Sequence, residues 1–221
     1  MNTAIEVYGL TKQYGNHIVL KNLNFTVYEG EIFALLGVNG AGKTTTLECI
    51  EGLKKADDGQ IRINGKMGIQ LQSASLPERI QAREAVSLFA YWNQTEPDPG
   101  LLETMGIQEF AKKQYVQLST GQKRRLHLAL ALIGNPDILI LDEPTAGLDV
   151  EGRIALHEQI RQLKAQGKTM VLASHDMVEV ESLCDRIGIL IEGKLAFVGT
   201  VAQLNEKIGK QYNISIRSEA G

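Results

Sequence analysis

Gly37-Val38-Asn39-Gly40-Ala41-Gly42-Lys43-Thr44 has the form G-x-x-x-x-G-K-T. An apolar run, Ile32-Phe33-Ala34-Leu35-Leu36, precedes it, and Thr45-Thr46-Leu47-Glu48-Cys49-Ile50 follows with a helical reading. Strand, glycine-rich turn and helix in that order are the context a phosphate-binding loop requires. Glycines let backbone N–H groups turn inward and approach a polyphosphate closely. A helix N-terminus adds unpaired donors and a favourable dipole. Lys43 supplies a cation for the β- and γ-phosphates, and the Thr44 hydroxyl is placed to ligate Mg²⁺. The competing reading is a glycine-rich turn with a surface lysine, which the flanking strand and helix disfavour.

A second strand ends in chemistry. Ile138-Leu139-Ile140-Leu141-Asp142-Glu143 is an apolar run closed by two carboxylates. One carboxylate at such a strand tip can serve a metal shell, and the other can polarise an attacking water. Leu118-Ser119-Thr120-Gly121-Gln122 opens a helix reading over residues 123–133. Ser119 and Gln122 form an S-x-x-Q capping box, and a helix N-terminus with a close-approach glycine is also an anion site. His175 follows the apolar run of residues 170–173, Gln72 ends another, and Tyr14 stands beside a turn. None of these three signifies much alone. His17, His127 and His157 have no motif context.

Short β-type runs are expected at residues 5–8, 25–28, 32–36, 61–63, 67–71, 138–141, 169–173, 187–191, 195–198 and 212–216. The early runs alternate and are separated by glycine-containing turns, which predicts an antiparallel sheet. The continuous apolar runs at 138–141 and 170–173 predict buried parallel strands. Between them, residues 150–166 place Ile154, Ile160 and Leu163 at helical spacing. Residues 82–135 carry helical patterns almost without strand signals, broken once at Pro97-Asp98-Pro99-Gly100. The fold class is therefore α/β: an antiparallel N-terminal sheet plus a parallel α/β core, with an inserted helical subdomain.

The chain has 221 residues, 43% of them hydrophobic, enough for a real core. Its net charge of −3 argues against a nucleic-acid partner. Cys49 and Cys184 stand far apart, in no C-x-x-C pattern, and read as buried small apolar side chains in a reducing compartment. No apolar run is long enough to cross a bilayer, and Met1-Asn2-Thr3-Ala4-Ile5-Glu6 does not open a secretory signal. A cytoplasmic protein is expected, and any membrane segment must come from another chain.

Tyr14, residues 37–45, Gln72, residues 118–122, residues 138–143, Ala146-Gly147-Leu148-Asp149 and His175 together, in this order, resemble the nucleotide-binding domain of ATP-binding cassette (ABC) transporters. The resemblance runs over about residues 5–200. It implies a P-loop NTPase fold in a single domain, with residues 1–80 and 136–221 as nucleotide-binding core and 81–135 as helical subdomain. It implies ATP and Mg²⁺. Tyr14 would stack on adenine beside Val19. Gly37, Val38, Asn39, Gly40, Ala41, Gly42, Lys43, Thr44 and Thr45 would wrap the phosphates. Thr44 and Gln72 would contact Mg²⁺, with Asp142 in its outer shell. Glu143 would be the general base, His175 the residue touching the γ-phosphate, and Asp149 a residue that communicates across a dimer. Ser119, Gly121 and Gln122 would belong to the signature that covers ATP on the opposite subunit. The family's usual signature has two glycines after the serine, whereas here Thr120 replaces the first.

The stretches Gly68-Ile69-Gln70-Leu71-Gln72-Ser73-Ala74-Ser75-Leu76-Pro77 and Gly121-Gln122-Lys123-Arg124-Arg125-Leu126 are similar to bacterial cassettes that serve separate multi-pass permeases, often exporters of drugs, antibiotics or lipids. That implies an ATPase motor held on the inner face of the membrane by its permease and paired with a second nucleotide-binding domain. Leu88, Phe89, Tyr91 and Trp92 are candidate permease contacts, against an equally weighted reading as core packing. Soluble ABC ATPases of repair, translation or regulation are the alternative. The absence of sustained heptads between Thr44 and Leu118 disfavours the repair type.

Overall fold

The computed structural model describes residues 2–70 and 75–209. Gln72 and the expected strand at 212–216 lie outside the described residues. The elements run β1 (Thr3–Tyr14), β2 (His17–Tyr28), β3 (Ile32–Leu36), α1 (Lys43–Ile50), β4 (Asp58–Ile63), β5 (Met67–Gln70), α2 (Ala82–Trp92), α3 (Pro99–Thr104), α4 (Thr120–Leu132), β6 (Ile138–Asp142), α5 (Val150–Ala165), β7 (Thr169–Ser174), α6 (Met177–Leu183), β8 (Arg186–Ile191), β9 (Lys194–Thr200) and α7 (Val201–Gly209). Short 3₁₀ turns at Ile107–Phe110 and Tyr115–Gln117 lead into α4.

Two sheets form. The antiparallel one has order β2-β1-β4. The six-stranded one has order β5-β6-β7-β3-β8-β9, parallel except for the β8–β9 hairpin at its edge. The expectation that all early runs are antiparallel is corrected at two strands. β3 pairs in parallel with both β7 and β8, and β5 with β6. Ile32 to Leu35 are all buried, and a strand covered on both faces belongs in the parallel layer.

β6 shows how the layers are held. Ile138 and Ile140 point into a cluster with Ile5, Leu23, Phe33 and Leu47, between the two sheets and α1. Leu139 and Leu141 point the other way, into a cluster with Leu126, Phe110, Ile160 and Met170. Successive residues thus serve opposite layers. Each fully buried aliphatic side chain contributes roughly 1.5–3 kcal/mol. The second cluster is continuous from α2 and α4 through the sheet to α5, so the helical insertion and the strands share one apolar interior. On α5 the inward face is Leu156, Gln159, Ile160 and Leu163, whereas Ile154 is exposed. Ile154 therefore lies on the opposite face, about half a turn from the centre of that stripe.

β1 and β2 extend well beyond the short runs read from the sequence. Register shifts interrupt their pairing at several points, so alternation breaks although the strands continue.

Candidate active site

β3 sits between β7 and β8 in the parallel sheet, and the chain leaves its C-terminal end into the loop of residues 37–42 and then α1. Two glycines there are demanded by geometry. A Cβ on Gly37 would come 2.5 Å from the Leu190 carbonyl oxygen, and Gly42 has φ +108° with Leu20 directly against it. Gly42 caps α1 with no side-chain hydrogen bond, and the first turn of α1 has no acidic residue. The amides at this helix start therefore face outward without a side-chain acceptor, as an anion site requires.

The Lys43 ammonium folds back over the loop. It donates to Gly37 O at 2.8 Å and Val38 O at 3.4 Å, and pairs with Glu143 Oε1 at 3.4 Å. Lys43 and Glu143 are only 6% and 5% exposed. Glu143 Oε2 lies 2.8 Å from His175 Nδ1, on an imidazole that is otherwise open to solvent. One carboxylate is thus held between a cation and an imidazole. Glu143 has φ +47°, a left-handed conformation uncommon for a residue with a side chain, fixed by Glu143 N donating to Ala173 O and Ala146 N donating to Glu143 O. A conformation of this kind costs about 1–3 kcal/mol and persists only where the surroundings hold it.

Asp142 is buried beside it and hydrogen-bonds the Thr44 hydroxyl. Burial raises its pKa, the Thr44 bond opposes that, and Glu143 adds like-charge repulsion. Asp142 Oδ1 has no hydrogen-bond partner among the described residues. A hydroxyl and an orphaned carboxylate oxygen side by side suit a divalent cation. Glu51, the residue that follows α1, adds a half-buried carboxylate. Both its oxygens lack partners among the described residues, and burial, then Asp142 and Glu48, push it up to about 7.

Val19 lines the same open cleft as Asn39, Gly40, Thr44 and Thr45. Tyr14 ends β1 half-exposed, with the Lys12 and Lys54 ammonium groups 5.4 and 5.2 Å from its ring centre. The Lys54 pKa is raised, foremost by its hydrogen bond to Tyr14.

The segment 119–122 lies in a different setting. Ser119 Oγ accepts from Gln122 N at 3.2 Å, and Gln122 Oε1 accepts from Ser119 N at 3.1 Å, which completes the expected capping box. Ser119 and Thr120 are exposed. A Cβ on Gly121 would meet only Leu148, at 4.0 Å, and Gly121 has no left-handed φ. Among the described residues nothing requires a glycine there. The segment does touch the one that follows Glu143. Arg124 Nη2 donates to Ala146 O at 3.3 Å, and a Cβ on Gly147 would lie 3.7 Å from the Thr120 methyl. Asp149 caps α5 through Gly152 N at 2.8 Å and is exposed.

The structure thus brings together Gly37, Lys43, Thr44, Asp142, Glu143 and His175. Ser119 and Asp149 are exposed, Gly121 is half-buried beside Ser119, and Gln72 is not described. Sequence reasoning gave no role to His157, Ser174 and Glu179, because their pairing crosses between elements. His127 is a core residue. It is buried, bonded to the Tyr115 hydroxyl at 2.9 Å, and lowered to about 4 by burial and then by Arg124 and Lys123. On α2, Tyr91 and Trp92 are 80% and 62% exposed, while Phe89 packs against the apolar interior. Among the described residues no helix is long and apolar enough to cross a membrane.

Residues 20–146 match the family described as ABC transporter. A linearmycin resistance ATP-binding protein of Bacillus subtilis is 35% identical over 223 residues, covering 93% of this chain and 72% of its own length. A Nod factor export ATP-binding protein I of Rhizobium johnstonii is 40% identical over 225 residues, with the same coverage. A solved structure described as the ATP binding subunit of an ABC transporter superposes with a TM-score of 0.83 at 29% identity, covering 93% of each chain.

Proposed function

The chain belongs to the ABC transporter family, and we propose that it is the ATP-hydrolysing motor of a membrane transporter that works as a dimer closing over ATP. The observation that carries this reading is the Glu143 carboxylate held between Lys43 and His175 at the mouth of a phosphate-binding loop. A polyphosphate on the outward amides of α1 draws the Lys43 ammonium to its β- and γ-oxygens. That releases Glu143 Oε1 to accept a proton from a water aligned on the γ-phosphorus. His175, on Oε2, keeps the carboxylate oriented and senses the terminal phosphate. Thr44 and Asp142 would hold Mg²⁺, which supplies charge neutralisation to the β- and γ-phosphates. Gln72 belongs to the same metal-binding proposal, and Tyr14 with Val19 to the adenine end.

Ser119, Gly121 and Gln122 complete the site of a second copy. A glycine with free space around it, on an exposed helix start, suits a surface that another molecule's nucleotide must approach closely. Asp149 lies on the same exposed face and would report closure to the catalytic residues. In domain terms, residues 1–80 and 136–221 form the nucleotide-binding core and 81–135 the helical subdomain. Leu88, Tyr91 and Trp92 form the surface that receives a separate multi-pass permease, with Phe89 supporting them from below. The names of the two relatives, one for export and one for resistance, support export as the direction. The protein would then act on the cytoplasmic face of the membrane.

Purification of the tagged chain from detergent-solubilised native membranes tests the transporter assignment. A stoichiometric multi-pass membrane protein is expected with it. Recovery only from the soluble fraction, with no membrane partner, would overturn the assignment.

A further inference from the structure

α5 faces the His175 turn with two basic side chains one helical turn apart, Arg153 and His157. Arg153 Nη1 pairs with Asp176 Oδ2 at 3.0 Å near the surface. Beneath it, His157 Nε2 stands 3.5 Å from Glu179 Oε1. Glu179 is only 2% exposed. Its other oxygen, Oε2, accepts from the Ser174 hydroxyl at 2.6 Å. That hydroxyl in turn accepts from Asp176 N at 3.0 Å, closing a turn around His175. Ser174 O accepts from Gly37 N at 3.3 Å, the first amide of the phosphate loop. A carboxylate buried this deeply is costly unless it is paired and hydrogen-bonded. Glu179 Oε1 has no hydrogen-bond partner among the described residues, while Oε2 takes the Ser174 hydroxyl, whose oxygen also receives Asp176 N, so the turn on both sides of His175 is tied to this carboxylate.

We propose that Glu179, which touches no reacting atom, is a positioning residue for His175. Through the Ser174 hydroxyl it sets the turn that places the imidazole on Glu143. By accepting from Ser174, it orients the hydroxyl so that a lone pair is directed to Asp176 N. Without that acceptor the hydroxyl can rotate, the turn at 174–176 loosens, and His175 Nδ1 leaves Glu143 for part of the time. His157 backs Glu179 from α5, the helix that Asp149 caps. The inference rests on the hydrolytic reading of Lys43, Glu143 and His175 given above.

The test is steady-state ATPase kinetics on the full chain, with its permease where turnover needs it, in a double-mutant cycle with His175→Ala. Glu179→Leu, similar in volume and unable to accept, should lower kcat by about ten-fold with the KM for ATP within about two-fold. Glu179→Gln, which keeps an acceptor for Ser174, should recover most of that loss. In the His175→Ala background, Glu179→Leu should cost nothing further, because both changes act through one group. Ser174→Ala should reproduce the loss, and it carries the test if Glu179→Leu fails to fold. A folded Glu179→Leu or Ser174→Ala with wild-type kcat would overturn the positioning role, as would a loss that multiplies with that of His175→Ala. If instead the wild type hydrolyses ATP no faster than Lys43→Ala, the hydrolytic reading falls and this inference falls with it.

Discussion

The loop of residues 37–45 and the turn of residues 119–122 are both helix N-termini with glycines, yet they are finished to different degrees. At the first, Lys43, Glu143, His175, Asp142 and Thr44 are already engaged with one another, with Lys43, Asp142 and Glu143 buried, around a strained Glu143 backbone. At the second, the hydrogen bonds close on the turn itself, Ser119 and Thr120 are exposed, and a Cβ on half-buried Gly121 would meet only Leu148. The lesson concerns what explains a residue. Gly37 and Gly42 are accounted for by the fold that holds them, whereas Gly121 is not. A glycine with no internal reason points to chemistry brought from outside.

The comparison breaks most sharply at Lys43. Lys43→Ala should reduce ATP turnover by at least about 100-fold, since the charge on the β- and γ-phosphates goes with it. Wild-type turnover in a folded variant would remove the phosphate-site assignment. Glu143→Gln should lose turnover to a similar degree while retaining ATP, and so accumulate a closed dimer by light scattering at saturating nucleotide. A variant that stays monomeric under those conditions would argue against homodimeric closure.

Gly121→Asp probes the other half. Free space around the position predicts little change in thermal stability, within about 0.5 kcal/mol, but a loss of turnover as large as that of Lys43→Ala. Mixing the two inactive chains should restore part of the activity, because one of the two composite sites then has a sound loop and a sound turn. No recovery in a demonstrated mixed dimer would refute the composite site.

Glu51→Gln sharpens the contrast in energetic terms. Its carboxyl titrates near 7 in the folded chain against an ordinary 4.5, with burial as the main cause. Between those values the folded state holds a proton that the unfolded state releases, so stability falls as pH rises through the window. The penalty is complete above about 7 and absent below about 4.5. The glutamine variant should therefore exceed wild type by roughly 1–2 kcal/mol at about pH 8, allowing for partial solvent screening, and match it at about pH 4. Denaturant melts that give the same difference at both pH values would refute the assignment. The smallest effect is expected at Thr120→Gly, a change of about two-fold in ATPase rate, since the Thr120 methyl only brushes Gly147. A change above about ten-fold would make Thr120 part of the site rather than a tuning position.

Much of the fold is legible in the sequence, for specific reasons. The β6 and β7 runs read as buried parallel strands because every residue in them is apolar or at a strand tip. The Ser119–Gln122 capping box read correctly because its partners are three residues apart. β1 and β2 were read short because register shifts break the alternation that reveals strands. β3 was grouped with antiparallel neighbours because its partners, β7 and β8, lie far along the chain. Ile154 was placed inward on spacing alone, but the α5 stripe turns toward Leu156 and Gln159. The His157–Glu179–Ser174 connection leaves no local pattern, because it joins three different elements.

The strand order has a consequence for how the protein is made. β3 can only pair once β7 and β8 exist, and these end at Ser174 and Ile191. A nascent chain displays the whole glycine-rich loop early, yet that loop has no bed until synthesis has passed Ile191. Such long-range pairing is slow to form. Chains released from the ribosome before Ile191 therefore carry the whole glycine-rich loop without the strands that seat it.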